Sequence, residues 1–489
     1  NMLVSIPGFL WDKVPLVAVW GVLVALCLIS FIFIFSVMKK LEKVKEGDGT
    51  MLDIGRSTYL GSAEDFFDAD TTDVGASLQH AFANGGVGQV SARYMDHDMR
   101  LEQTFTNGPV DAAGNTGLMF NGQGNQQKNM AFDANYSQMF DLLGHKSEFV
   151  LGSDYKRYES DIQTYTNRNL GKINVFDFDP TRVAKPDYSY TKNDHEEQSE
   201  LGLYGKVTWR LLEPLAVITG ARVSWYDLDA VSTTLSSGAQ SGESSAFNGK
   251  LTPYAGAVYD LSDAHAWYAS YSKVFKPQTS QDESGNLLKP REGSQWETGI
   301  KSSLRDGLLN TRATLFLMKD DNIAAQAYDD QGIAITNTYW ATGKVETQGV
   351  ELEASGYLSQ NWMVMAGYTF TDIEEKAGDH NPKFDTIPRH ALSLWTDYHL
   401  ADWVQGLHLG AGMTAVSDYG FNQKGVETHQ GGYALFDAAV RYEINDRMQA
   451  TLNLYNLLDR EYFYRVGSTS TFNMYGEPAN LMAGFTYKL

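Results

Sequence analysis

The sequence predicts an all-β membrane protein: an antiparallel transmembrane β-barrel of about 17 strands, preceded by one N-terminal hydrophobic α-helix. Strand-length segments alternate apolar and polar residues with period two. Their connections alternate between short and long, and no segment beyond residue 50 is apolar enough to be a membrane helix. The C-terminal run is the clearest case. In Tyr433 to Ile444, residues Ala434, Phe436, Ala438, Val440, Tyr442 and Ile444 share one face, and Asp437, Arg441 and Glu443 share the other. Past the turn Asn445 to Arg447, Ala450, Leu452 and Leu454 oppose Gln449, Thr451 and Asn453. The chain ends with Leu481, Ala483, Phe485, Tyr487 and Leu489 alternating with Met482, Gly484, Thr486 and Lys488. A soluble sandwich would bury such a stripe under a second sheet, whereas a barrel turns it to lipid.

At the N-terminus, Val14 to Met38 is a nearly unbroken apolar run, long enough as a helix to cross a bilayer core. Lys39, Lys40, Lys43 and Lys45 follow it, which by the positive-inside rule places the residues after it in the cytoplasm. Asp12 and Lys13 before the run, its length, and the lack of a small-residue cleavage site fit a secretory signal poorly. Barrels are exported and assembled from the periplasm, so residues 1–50 read as foreign to the rest, with the join near Glu46 to Met51. Residues 51–69 read as an extracellular-loop segment and 70–489 as the barrel.

From Asp70 the expected strands are Asp70–Phe82, Gly88–Arg100, Ala131–Asp141, His145–Ser160, Ser199–Leu211, Leu215–Leu228, Gly249–Leu261 and His265–Phe275. They continue with Ser294–Leu304, Leu309–Ile323, Lys344–Leu358, Trp362–Glu374, Arg389–Leu400, Leu407–Ser417 and the three C-terminal strands. Short connections such as Leu142–Gly144, Arg305–Leu308 and Asn445–Arg447 would face the periplasm. Long ones, such as Leu101–Met130, Asp161–Gln198, Asp229–Asn248 and Arg460–Ala479, would face outward. An odd strand count makes the first and last strands parallel, so closure calls for an odd number of further strands.

Composition narrows the function. A formal charge of −21 argues against nucleic acid. The one cysteine, Cys27, excludes a disulfide framework and a cysteine-based metal site within the chain. Asp96, His97 and Asp98 alternate across a strand and cannot converge on a metal. Histidines scattered without a nucleophile motif, and no glycine-rich phosphate loop before a helix, argue against an enzyme.

Several ordered motifs carry a resemblance. YASYSKVFKPQ (Tyr268 to Gln278), LKPREGSQWETGIK (Leu288 to Lys301), ATLFLMKDDNI (Ala313 to Ile323), QGVELEA (Gln348 to Ala354), LNLYNLLDREY (Leu452 to Tyr462) and YGEPANLMAGFTYKL (Tyr475 to Leu489) resemble the barrel of TonB-dependent ferric-siderophore receptors of Gram-negative outer membranes. The resemblance runs from about Arg56 to the end. It implies a family barrel of twenty-two strands around a plug, of which the plug, the TonB box and the first strands are expected to be absent here. Ala479 stands where many relatives carry Arg, and the chain ends on Leu489 where an aromatic is usual.

The resemblance implies a ferric siderophore as transported ligand, outer-membrane lipid and lipopolysaccharide as neighbours, an outer-membrane location and a monomer, with no cofactor. TonB would be a partner of the intact family only. Bulky chelates are held by aromatic faces and a few cations. The loop and lumen candidates are Tyr158, Tyr226, Tyr328, Tyr339, Trp340, Phe421, Tyr464 and Phe472, set against the plainer reading of girdle and loop packing. Without handle and gate, energised transport by this chain alone is not expected. The alternatives are a passive pore, a receptor remnant, or an inner-membrane-anchored protein with a soluble β domain.

Overall fold

The computed structural model describes residues 54–488 apart from 57, 329–333, 342, 378–383, 424–425 and 468–472. The expected helix Val14 to Met38 lies outside the described residues, among which no helix is long and apolar enough to cross a membrane. β1 to β10 are Phe66–Ala81, Val87–Asn107, Asn115–Leu142, His145–Asn174, Lys192–Leu212, Leu215–Thr234, Ala239–Ser262, His265–Lys276, Arg291–Leu304 and Leu309–Asp321. β11 (Ala324–Tyr328) and β12 (Ala334–Ala341) form a loop hairpin, followed by β13 (Lys344–Ser359), β14 (Trp362–Ala377), β15 (His390–His399) and β16 (Leu407–Val416). A second loop hairpin, β17 (Tyr419–Gln423) with β18 (Val426–Gln430), precedes β19 (Tyr433–Asn445) and β20 (Met448–Tyr455). A third, β21 (Phe463–Arg465) with β22 (Met474–Tyr475), precedes β23 (Asn480–Tyr487).

All strands outside the three loop hairpins join one 17-stranded antiparallel sheet in chain order. Among the described residues β1 pairs only with β2 and β23 only with β20, so both outer edges are open. An alternating sheet of 17 strands leaves those edges parallel to each other, as the sequence predicts.

One face of the sheet is apolar and exposed. Val74, Leu78, Leu151, Leu251, Trp296, Leu315 and Phe485 each stand more than half exposed on it. Register aligns Trp267, Ile300, Ala313 and Leu352 in one row across four strands, with Ala269, Thr298, Leu315 and Val350 in the next. The opposite face carries Arg222, Asp154, Glu200, Lys301, Glu297 and Arg312. Such a two-faced sheet meets hydrocarbon outside and water inside. At the end of the sheet that carries the short connections, tight turns reverse the chain with left-handed residues, Leu143 (φ 52) before Gly144 (φ 83) and Arg305 (φ 56), Asp306 (φ 57) and Gly307 (φ 87).

At the other end the expected boundaries are corrected. β3 and β4 run for 28 and 30 residues, far more than the roughly ten that cross a bilayer. The anticipated long loops Leu101–Met130, Asp161–Gln198 and Asp229–Asn248 are mostly ladder, leaving connections 108–114, 175–191 and 235–238. Likewise the wall begins at Phe66, four residues before Asp70. Beyond the bilayer both faces of a hairpin meet water, so the apolar alternation stops while backbone pairing continues.

Candidate functional site

The outer ends of the strands carry loops that interlock into a rim. Tyr419 Oη donates to the Phe463 carbonyl, the Phe463 N–H to Gln430 Oε1 at 2.8 Å, and Thr428 Oγ1 to the Gly467 carbonyl at 3.2 Å, fastening the second loop hairpin to the third. Rings pack beside this join, with Phe463 stacked on Tyr475 at 4.6 Å within the third hairpin and Tyr433 of β19 against Tyr462 at 4.3 Å. Tyr475 Oη reaches the Ile54 carbonyl at 3.5 Å, and Arg56 pairs with Asp459 at 2.5 Å. From there Ile54 and Leu60 enter a small core with Val110 and Val175. The segment ahead of β1 thus bridges the outer end of the open seam, from the first strand to the last long loop. On the other side of the rim the Leu287 N–H donates to Glu243 at 2.5 Å and the Tyr339 N–H to the Gln281 carbonyl at 2.9 Å.

Two carboxylates there titrate in opposite directions. The Ala479 N–H and then Arg56 hold Asp459 below the usual carboxylate range. Burial pushes Asp65 up, against hydrogen bonds to one of its oxygens from Tyr59 Oη (2.7 Å) and the N–H groups of Ser62 and Thr104 (3.0 Å each).

Lower on the inner face Arg222 is clamped by Asp154 and Glu200, at 2.9 and 2.5 Å, and donates through Nε to Ser224 at 2.8 Å. Its guanidinium packs against Gly202, where a Cβ would come within 2.0 Å of Nη2 and force the guanidinium to move. Near the inner-facing turns His399 and His408 stack at 4.2 Å, and His408 Nδ1 lies 2.9 Å from Asp397.

The sequence candidates disperse over this frame. Tyr158 is half-buried on the inner face of β4, on the parity of Asp154 and Lys156. Tyr226 is 9% exposed and packs on Phe275 at 5.6 Å, and its ladder partner Phe247 meets the same ring edge-on at 5.6 Å. Tyr339 and Trp340 lie half-buried in β12, Phe421 half-buried in β17 and Tyr464 exposed in β21, where its hydroxyl meets Met474 Sδ at 2.7 Å. Tyr328 ends β11, and Phe472 lies outside the described residues. Phe421 and Tyr464 sit on hairpins that touch; the described contacts do not bring all eight candidates into one pocket. Arg56, Phe247, Phe275, Phe463 and Tyr475 were missed, since contacts between distant loops leave no periodic signal. Asp96, His97 and Asp98 sit in β2 with His97 Nδ1 2.8 Å from Thr71 Oγ1, and among the described residues no cluster is placed to hold a metal ion.

Comparison with known proteins places this geometry. The family described as TonB dependent receptor-like, beta-barrel matches residues 45–457. The chain is 30% identical to the ferric-pyoverdine M114 receptor of Pseudomonas sp. strain M114, over 97% of this chain and 57% of that one. It is 28% identical to the ferrioxamine B receptor of Salmonella typhimurium, over 85% of this chain and 58% of the relative. Among solved structures, the ferripyoverdine receptor of the outer membrane of Pseudomonas aeruginosa bound to ferripyoverdine is similar with a TM-score of 0.77 and 27% identity, covering 91% of this chain and 59% of that one. The chain therefore spans little more than half the length of these relatives.

Proposed function

Because the chain belongs to the TonB-dependent receptor family, whose β-barrel it matches over residues 45–457, we propose that residues 54–488 form wall and outer rim of an outer-membrane receptor for a ferric siderophore. The observation that carries this is the interlocked rim, held beyond the bilayer by a wall with a lipid-facing exterior. It presents Tyr158, Tyr339, Trp340, Phe421 and Tyr464 from several strands and hairpins. Flat or chelate-bearing ligands bind such faces by stacking and cation–π attraction once water is partly excluded. The pyoverdine and ferrioxamine B receptors among the relatives support a ferric chelate as ligand. Tyr226 contributes through packing, since its ring is taken up by Phe275.

Binding is read by quenching of Tyr and Trp fluorescence on titration with ferric siderophores. Saturable quenching is expected. Absence of quenching by any ferric chelate contradicts the receptor reading. The alternative reading, a passive pore, predicts persistent ungated conductance in planar bilayers.

A further inference from the structure

The inner face of the wall carries a hollow near the end with the short connections. Across β14, β15, β16, β19 and β20, register aligns Met363, Asp397, Gly410, Ala439 and Asn453 in one row. The next row toward the turns holds His399, His408, Arg441 and Thr451. Both rows lie on the side opposite the exposed Leu409 and Val440, which face outward. Gly410 and Ala439 put almost no side chain into the middle of the first row, and a cavity of about 410 Å³ opens there.

Trp395, one row further from the turns, is folded down along β16 and lines this cavity. Its ring lies over Gly410 and Gly412, where an added Cβ would come within 2.6 and 2.7 Å of ring atoms. Two glycines at alternate positions thus let the indole lie along the strand. In the second row the imidazoles of His399 and His408 stack 4.2 Å apart and within 2° of parallel. Arg441 fixes one of them. A guanidinium has only donors, so the 2.8 Å contact of Arg441 Nη2 with His408 Nδ1 makes that nitrogen the acceptor. His399 Nε2, by contrast, is buried with no hydrogen-bond partner among the described residues. Buried polar atoms are rarely left in that state.

We propose, resting on the receptor reading for the source of the ligand, that this cavity is a second station for a ferric siderophore and takes one of its phenolic rings. A mostly apolar hollow with a few convergent polar groups is the composition of a small-molecule site. The ring stacks on Trp395, and its oxygens pair with His399 Nε2 and Asn453. The volume admits one ring and leaves the rest of the chelate in the lumen. A hydroxamate has no ring to insert, so this station separates two chelate classes that aromatic faces in the rim accept alike.

The test titrates the full chain in nanodiscs, by calorimetry, with ferric enterobactin (a tris-catecholate), with ferrioxamine B, which has no ring, and with iron-free catechol. Ferric enterobactin should show a binding phase that weakens about tenfold in Trp395→Ala, the loss of a stacking contact, and disappears in Ala439→Leu, which fills the hollow. Ala439→Ser leaves the hollow open and should bind as wild type does, so a folding defect is told apart from a blocked site. Trp340→Ala should leave this phase unchanged, and ferrioxamine B should lack it. Enterobactin binding that neither Trp395→Ala nor Ala439→Leu alters overturns the proposal, as does a ferrioxamine B phase equally sensitive to both. Catechol binding as tightly as the ferric complex would assign the cavity to a free phenol and overturn it too. Failure of the rim reading looks different: chelate binding is then indifferent to Trp340→Ala and Phe421→Ala while the phase that depends on Trp395 persists.

Discussion

Arg56 and Asp459, 403 positions apart in the chain, form an ion pair at 2.5 Å that ties the segment before β1 to the loop after β20. Asp459 titrates below its ordinary 3.8 because it accepts the Ala479 N–H and faces Arg56. A depressed carboxylate contributes its stabilisation fully above 3.8 and loses it as the pH falls through the lower folded value. Spin labels at Ala63 and Leu458, with Cys27 replaced, should report a narrow distance distribution at neutral pH. Acid that takes the pH through that lowered folded value, or Asp459→Asn at neutral pH, should broaden it. A distribution that stays narrow in both cases shows that the pair does not hold the seam.

Arg222 anchors the inner wall between Asp154 and Glu200, whose side chains are only 9% and 15% exposed. Arg222→Ala leaves both carboxylates without their cation and should lower stability by about 3 kcal/mol, the lower end of what an uncompensated buried charge costs. Adding Asp154→Asn and Glu200→Gln should recover most of it. Urea unfolding in lipid vesicles checks both, and Gly202→Ala should mimic the loss by displacing the guanidinium.

Ile300 and Ser270 lie one strand apart on opposite faces. Ile300 shares the outer row of Trp267 and Leu352, and Ser270 stands opposite Glu297 on the inner face. Arginine at Ile300 should cost about 2–4 kcal/mol if that row meets hydrocarbon, and arginine at Ser270 much less. Similar costs at the two positions, read in the same unfolding assay, count against the lipid-facing assignment.

Ligand recognition by the rim predicts that Trp340→Ala and Phe421→Ala each weaken ferric-siderophore binding about fivefold, the loss of one stacking contact. Tyr226→Phe should leave affinity unchanged, because that ring is committed to Phe275. Fluorescence titration measures all three. Undiminished affinity in both alanine variants would remove the β11–β12 and β17–β18 hairpins from the site.

Within the bilayer the wall was legible because lipid on one side and water on the other impose period two, as in Tyr433 to Ile444. Counting that alternation returned the 17 strands of the sheet and the parity that makes β1 and β23, its two edge strands, run parallel to each other. Legibility stopped where lipid stopped. In β3 the stretch from Asn121 to Lys128 is polar on both faces, so nothing in it announced a strand. The rim was hidden for a different reason. Contacts such as Phe463 with Gln430, or Arg56 with Asp459, join loops whose spacing in sequence carries no period. Parity could tell that Tyr226 faces inward, but not that Phe275 would cover it.

The account depends most on the two faces of the wall meeting different solvents. Single cysteines introduced in a Cys27→Ser background along β9, at Gln295, Trp296, Glu297, Thr298, Gly299 and Ile300, can be probed in outer membranes with a water-soluble maleimide and a lipid-dissolved quencher. The account predicts strict alternation, with positions 295, 297 and 299 reacting from water and 296, 298 and 300 quenched from lipid. Uniform labelling along the strand, or even-numbered positions that neither reagent reaches, would contradict a lipid-facing barrel wall.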